Sequence, residues 1–279
     1  MAKFIEFLKS FGELFAMFKY FPLWYQVLLI FSILLFLVVG GLFIHFYSIT
    51  NLQLKTQTAV TAVEDNALSG DTPAMIKLSF SGSPKAYDIL AAIIQTSPDE
   101  TRRQSAISAI VNLKDKRTTV LLGNILIKEK WVIAGDCAVA LGRSKDSDAV
   151  PFLLRALQLH IDWVVGQKSA EALGSFEPTK PILQALIRAL DEENFTRDAA
   201  KQSLANYGDK ALPSLTDNLD RSASFDSLLA TVETISLIGG KQSLPHLQAF
   251  QQRIAALNIE DKQKAILSSE TRKAIDVAQ

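Results

Sequence analysis

Hydrophobic residues follow two contrasting patterns along the chain. From Tyr20 to Leu54 there is no Asp, Glu, Lys or Arg, and the stretch from Leu23 to Tyr47 is almost continuously apolar. From about Thr72 onward, apolar residues recur at helical spacing in short segments, and no segment shows the period of two that is typical of a half-buried strand. The first pattern predicts one long apolar helix, and the second predicts a succession of short amphipathic helices.

The apolar segment is long enough to cross a lipid bilayer, since about 20 helical residues span the ~30 Å hydrocarbon core. It is too long for a cleaved signal peptide, whose apolar region covers ~7–15 residues. We therefore predict a single transmembrane helix over residues 21–48 that stays in the mature protein as a signal anchor. Aromatic residues at both ends resemble the interfacial belts of membrane helices. The candidate membrane-anchoring residues are Trp24, Tyr25, Phe43, Phe46 and Tyr47.

The sequence before the predicted transmembrane helix indicates how the chain meets the membrane. Residues 1–20 form an amphipathic pattern typical of a helix that lies in the membrane interface or packs against a partner's membrane helix. Lys3, Lys9 and Lys19 precede the apolar segment, whereas only Lys55 follows it closely. By the positive-inside rule, this bias predicts a cytoplasmic N-terminus, with the remainder of the chain on the periplasmic side of a bacterial inner membrane.

The rest of the chain contains a repeated unit. Residues 49–71 are small and polar and predict a helical or flexible stalk, and residues 72–279 carry the repeats. One apolar position returns every 31 or 32 residues, as Leu78, Ile110, Leu141, Leu173, Leu204 and Ile235. Glycines after this position suit the end of one helix, and the prolines that follow suit the first turn of the next. Because a single helix pair cannot bury its apolar face, the units must stack on one another.

This unit resembles the short bacterial HEAT repeat that is often called PBS-lyase-like. The stretch TRDAAKQSLANYGDKALPSL, Thr196 to Leu215, follows the idealised unit V-R-x-x-A-A-x-A-L-G-x-x-G-D-x-x-A-V-P-x-L, with Arg197 at its arginine. Arg103 occupies that place in an earlier unit, whereas the two units between them have no arginine there. The resemblance implies an all-α, right-handed α-solenoid of about six helix pairs, with its second helices along the concave side. A helix near Asp261 to Asp276 is expected to cap its C-terminal end.

Composition argues against several classes of function. Lys plus Arg and Asp plus Glu number 29 each, so the formal net charge is zero and nothing favours nucleic acid as a partner. Cys137 is the only cysteine, and the three histidines are too scattered to share a metal ion. We find no catalytic constellation and no phosphate-binding loop, and we expect no cofactor or metal.

Aromatic residues at the starts of the second helices form the most suggestive pattern. Trp131, Trp163, Phe195 and Phe225 recur every 30 to 32 residues and would lie in a line along a solenoid. They either pack between repeats or, in the case of the tryptophans, stay partly exposed and anchor a partner protein. Together with polar residues predicted to point outward nearby, the candidate protein-binding residues are Trp131, Trp163, Arg103, Lys168, Glu171, Arg197 and Lys201.

Three functions are compatible with these features. The favoured one is not enzymatic: a single-pass membrane-anchored scaffold whose solenoid binds a partner protein or holds a place in a membrane-associated complex. The second, implied only by the resemblance, is an enzyme similar to the lyases and isomerases that attach bilin chromophores to light-harvesting proteins. The third is a complex subunit that acts mainly through its membrane helix, where Gly40 and Gly41 would permit close helix approach.

Overall fold

The computed structural model describes residues 22–159, 162–192, 195–221 and 224–279. All regular elements within these ranges are helical, and no strand occurs there, as the sequence predicts. The chain divides into two compact units, Met1–Thr61 and Ala62–Gln279. The interfacial helix predicted for residues 1–20 lies outside the described residues.

Helix α1 (Leu23–Ser69) contains the apolar segment and continues without interruption for 47 residues. The predicted stalk is therefore helical up to Ser69. From Leu34 to Ser69 the helix is long and apolar enough to cross a membrane, and its most apolar stretch is not buried in the protein. Phe43, Phe46 and Tyr47 are all exposed, whereas the side chains of Trp24 and Tyr25 lie outside those described.

The second unit contains six helix pairs and a closing helix in its described residues. These helices are α2 (Thr72–Phe80), α3 (Ala86–Thr96), α4 (Glu100–Ile110), α5 (Arg117–Lys128), α6 (Trp131–Ser144), α7 (Val150–Leu159), α8 (Trp163–Leu173), α9 (Lys180–Arg188), α10 (Phe195–Tyr207), α11 (Leu212–Arg221), α12 (Phe225–Ile238), α13 (Leu244–Arg253) and α14 (Asp261–Ala278). The even-numbered helices pack side by side in one row, and the odd-numbered helices form a second row behind them. This two-layer stack is the α-solenoid that the repeated pattern predicts.

The repeated apolar position lies between the two rows and forms the core. It is completely buried in every unit, at Leu78, Ile110, Leu141, Leu173, Leu204 and Ile235. Burial of one such side chain stabilises the fold by about 1.5–3 kcal/mol. Because these residues belong to one continuous hydrophobic cluster, each unit is stabilised by its neighbours.

Glycine allows the even-numbered helices to approach one another closely. A Cβ at Gly166 of α8 would lie 2.6 Å from Thr196 Oγ1 of α10, and a Cβ at Gly142 of α6 would lie 2.9 Å from the Cβ of Ala172. Both distances are shorter than the ~3.5–4.0 Å of ordinary carbon contacts. Gly166 stands where Arg103 and Arg197 stand in other units, and a side chain there would press against Thr196, which gives a reason for the departure of this unit from the repeat pattern.

Specific contacts close both ends of the second unit. At the start, Ala67 in the last turns of α1 is completely buried, and Arg102 Nη2 donates to Leu68 O at 2.8 Å. Glu64 is also buried, and it accepts a 2.5 Å hydrogen bond from Ser83 Oγ. At the other end, α14 packs against α12 and α13. The compact unit therefore includes the last residues of the predicted stalk.

Candidate protein-binding surface

Four aromatic residues begin successive even-numbered helices. Trp131, Trp163, Phe195 and Phe225 are the first residues of α6, α8, α10 and α12, as the spacing predicts. Trp131, Trp163 and Phe195 expose 56%, 48% and 54% of their surface, whereas Phe225 packs against the core. The ring centroids of Trp163 and Phe195 are 5.1 Å apart, with the ring planes tilted by 38°. We call Trp131, Trp163 and Phe195 the aromatic row.

The backbone of Trp131 adopts an uncommon conformation. Its φ is +57°, in the left-handed region that bulky residues rarely occupy. Asp162 accepts a 2.8 Å hydrogen bond from the Trp131 N–H and a 2.9 Å bond from the Val165 N–H, and the second bond caps α8. One carboxylate therefore fixes the start of its own helix and positions the tryptophan of the preceding repeat. Backbone strain of this kind costs about 1–3 kcal/mol and is concentrated at functional sites.

Lys168 and Glu171 lie on the accessible face of α8 and point outward, as the sequence predicts. Lys168 Nζ pairs with Glu171 Oε2 at 2.9 Å, and Gln167 Nε2 donates to Glu171 Oε1 at 2.8 Å. A third or more of each charged side chain stays accessible. Because a solvent-exposed ion pair contributes only ~0–1 kcal/mol, these charges can exchange partners at little cost.

Arg103, Arg197 and Lys201 do not point outward as predicted, since their side chains are only 16%, 23% and 19% exposed. Arg103 donates from Nε to Ile94 O at 2.7 Å and from Nη2 to Glu129 Oε1 at 2.5 Å. These bonds link α4 to the last turn of α3 and to the residue that follows α5. The role of Arg103 in the structure is therefore a cross-link between repeats.

Lys201 and Arg197 make the equivalent links between α10 and α12. Lys201 Nζ is 2.5 Å from Glu233 Oε2, and Arg197 Nη1 is 3.6 Å from Asp226 Oδ1. The helical pattern shows that these residues avoid the core. It cannot show whether a long side chain turns toward solvent or toward the adjacent helix, because that depends on the spacing of the helices.

A groove between α6 and α8 was missed by the sequence analysis. Its volume is 400 Å³, and it is lined by Val139, Gly142, Arg143, Lys145, Lys168, Glu171, Ala172 and Ser175. One signal for it exists in the sequence. Val132 and Val139 are one heptad apart on α6 and share its exposed face, where polar residues are the rule.

Burial determines how two core groups titrate. Cys137 is completely buried, and its desolvation raises the pKa of the thiol, which makes it a poor nucleophile at neutral pH. Desolvation also raises the pKa of Tyr207 to about 12, and the nearby charge of Glu177 acts in the same direction. The Tyr207 hydroxyl donates to Leu173 O at 2.7 Å. Across the described ranges, no group of three or more His, Cys, Asp or Glu side chains could hold a metal ion.

Comparison with protein families agrees with this architecture. Residues 119–205 match the family model for HEAT repeats. No curated protein matches the chain. A solved structure of human deoxyhypusine hydroxylase in complex with glycerol is 16% identical, with a TM-score of 0.38, and the alignment covers 81% of this chain and 98% of that one. A likeness at this level says nothing about the activity of the present chain.

Proposed function

We propose that this protein is a single-pass, membrane-anchored scaffold whose HEAT-like solenoid binds a partner protein through the aromatic row. The exposure of the aromatic row is the observation that supports this function most directly. Each of its three side chains is about half accessible, although large aromatic residues gain free energy from burial. Tryptophan is enriched at the hot spots of protein interfaces, and stacked repeats offer an extended surface for such contacts.

The apolar part of α1 supports the proposed anchor. Phe36, Leu42 and Phe43 expose 78%, 64% and 70% of their surface. Apolar surface of this extent normally contacts lipid or another protein. In our proposal this segment crosses a bacterial inner membrane, with the N-terminus in the cytoplasm and the solenoid in the periplasm, where the protein belongs to a membrane-associated complex.

Alkaline carbonate extraction of isolated membranes tests the anchor. The unmodified protein should stay in the membrane pellet. Arginine at both Leu35 and Val39 should release it, since each arginine at the centre of a membrane helix costs about 2.5–3.5 kcal/mol. Thr58→Arg, outside the predicted span, is the matched control and should stay in the pellet. Release of the unmodified protein would contradict the proposal.

Labelling of a single introduced cysteine tests the orientation. Cys137 is the only native cysteine and is completely buried, so it contributes little background. Thr58→Cys places a thiol on an exposed face of α1. In intact cells whose outer membrane is permeabilised, a maleimide that cannot cross the inner membrane should label this thiol. Labelling only after disruption of the inner membrane would place the solenoid in the cytoplasm.

Loss of the two exposed tryptophans tests the binding surface. Trp131→Ala combined with Trp163→Ala should reduce co-purification of the partner from chemically cross-linked native membranes at least thirtyfold, because hot-spot residues each contribute about 2 kcal/mol or more. Phe80→Ala removes a more exposed aromatic residue from α2, away from the row, and should have no effect. Full retention of the partner by the double variant, with helicity unchanged by circular dichroism, would disprove this function.

A further inference from the structure

The groove between α6 and α8 has an apolar wall. Gly142 and Ala172 lie at its floor, where a Cβ on the glycine would come within 2.9 Å of the Ala172 Cβ. Val139 lines one side and remains 38% exposed. With a volume of 400 Å³, the groove is large enough for a few side chains of a bound segment but not for a folded domain.

The groove carries a local excess of positive charge, although the chain as a whole is neutral. Arg143, Lys145 and Lys168 line it, together with a single carboxylate, Glu171. Lys168 pairs with that carboxylate, and Lys145 Nζ donates to Ser175 O at 2.6 Å. Within the described part of the chain, Arg143 has neither an ion-pair partner nor a hydrogen-bond partner for its side chain.

Neighbouring carboxylates do not neutralise this charge. Asp146 is close in sequence, but it lines a separate cavity, where it accepts a 2.5 Å hydrogen bond from Thr119 Oγ1 of α5. Arg143 and Lys145 also lie at the C-terminal end of α6, where cations interact favourably with the helix dipole. The helix dipole gives a reason for Arg143 and Lys145 to lie at this end of α6. It gives no reason for the third cation of the groove, Lys168, which comes from α8.

We infer that this groove binds an acidic, extended segment of the partner protein, with a carboxylate on Arg143 and an apolar side chain on Val139. The guanidinium group of arginine suits a carboxylate because it can donate two parallel hydrogen bonds. The charge of the groove therefore selects an acidic occupant. The inference rests on the proposed function, since it describes the segment that the scaffold recognises.

The aromatic row can contact the same segment. Trp131 and Arg143 are on the same helix, and their separation of 12 positions corresponds to about 18 Å along its axis. An extended chain covers this distance in about six residues. The occupant that we infer therefore has acidic residues at one end, over Arg143, and apolar or aromatic residues at the other end, near Trp131 and Trp163.

Fluorescence anisotropy tests the inference on the full chain in phosphatidylcholine nanodiscs. The probe is a fluorescein-labelled hexapeptide of three glutamates followed by three leucines, and the control peptide has lysine in place of glutamate. The glutamate peptide should bind, and Arg143→Glu should weaken its binding at least tenfold. Val139→Glu should act in the same direction. Arg155→Glu reverses an exposed charge on α7, in the other row of helices, and should leave the affinity unchanged.

The outcomes separate this inference from the proposed function. Equal binding of the two peptides, or unchanged affinity in Arg143→Glu, would overturn the inference. Stronger binding to phosphatidylserine vesicles than to the glutamate peptide, dependent on Arg143, would overturn it in favour of a lipid surface. If Arg143→Glu retains the native partner while the double tryptophan variant loses it, the scaffold function holds and the acidic segment does not. If both variants retain the partner, both proposals fail.

Discussion

The backbone N–H of Trp131 donates to the carboxylate of Asp162 in the next repeat, 2.8 Å away, at a residue whose φ is +57°. The bond spans 31 residues of sequence, close to the length of one repeat. Other polar contacts span similar separations, such as that between the Tyr207 hydroxyl and Leu173 O. The aromatic row is therefore positioned by contacts between repeats, and its geometry depends on correct stacking.

Asp162→Ala should lower the free energy of unfolding and remove the hydrogen bond that holds the backbone of Trp131. Loss of the α8 cap costs about 1 kcal/mol, and the unpaired Trp131 N–H adds to that cost. Asp99→Ala is the matched control, because Asp99 caps α4 through bonds to Thr101 and Arg102 of its own repeat. Urea denaturation should show a larger loss for Asp162→Ala, and tryptophan fluorescence should change only in that variant. Equal losses would mean that the bond to Trp131 contributes nothing.

Gly166→Ala should destabilise the solenoid by about 1 kcal/mol. The new Cβ would lie 2.6 Å from Thr196 Oγ1, and overpacking of this kind costs about 1–3 kcal/mol, more than the roughly 1 kcal/mol that alanine gains in helix propensity. Thr196→Ala removes the obstructing atoms. In that background, Gly166→Ala should instead be stabilising. A double-mutant cycle by chemical denaturation measures this reversal of sign, and its absence would argue against close contact of α8 and α10.

Arg103→Ala should lower the free energy of unfolding by about 2 kcal/mol, because it removes charge-assisted hydrogen bonds to Ile94 O and Glu129. Lys210→Ala breaks a pair with Glu177 whose side chains are both largely exposed, and it should have no measurable effect. Thermal and urea denaturation of the two variants provide the comparison. A fully stable Arg103→Ala variant would show that its cross-link is not needed for stacking.

Alkaline pH should destabilise the protein through Tyr207. The pKa of this residue is raised from 10.0 to about 12 by burial. Below pH 10 the folded and unfolded states both keep the proton, so the group does not affect the pH dependence. Between pH 10 and about 12 the unfolded chain releases its proton and the folded protein does not, so the free energy of unfolding falls as pH rises.

The Tyr207→Phe variant isolates this effect. It loses the hydrogen bond to Leu173 O and should be less stable by about 0.5–1.5 kcal/mol at pH 8. Above pH 10 the difference between the two proteins should shrink, because only the tyrosine titrates. Stability curves measured by circular dichroism from pH 8 to pH 12 provide the test. A constant difference over this range would contradict the raised pKa.

Much of the fold could be predicted from the sequence because the residues that begin, end and orient each helix lie close together along the chain. A leucine or isoleucine every 31 or 32 residues, with glycine and proline between helices, determines where helices begin and end and which face is buried. The same periodicity placed Trp131, Trp163 and Phe195 at helix starts. Each helix depends on residues within a few turns of one another, and the repeat is visible as a regular spacing along the chain, so one sequence is sufficient.

The contacts between repeats were decided only by the tertiary structure. Arg103 and Lys201 were expected to face outward, yet both side chains turn toward a nearby carboxylate. Lys201 pairs with Glu233 of α12. Arg103 pairs with Glu129, which follows α5. The roles of Asp162 and of the groove beside Arg143 were not predicted either. Each depends on residues about 30 positions apart that meet only when glycines such as Gly166 let the helices stack closely. The sequence alone determined the helices and placed Trp131, Trp163 and Phe195 at helix starts. The distances between stacked helices decided which side chains, the aromatic row among them, remain available to a partner.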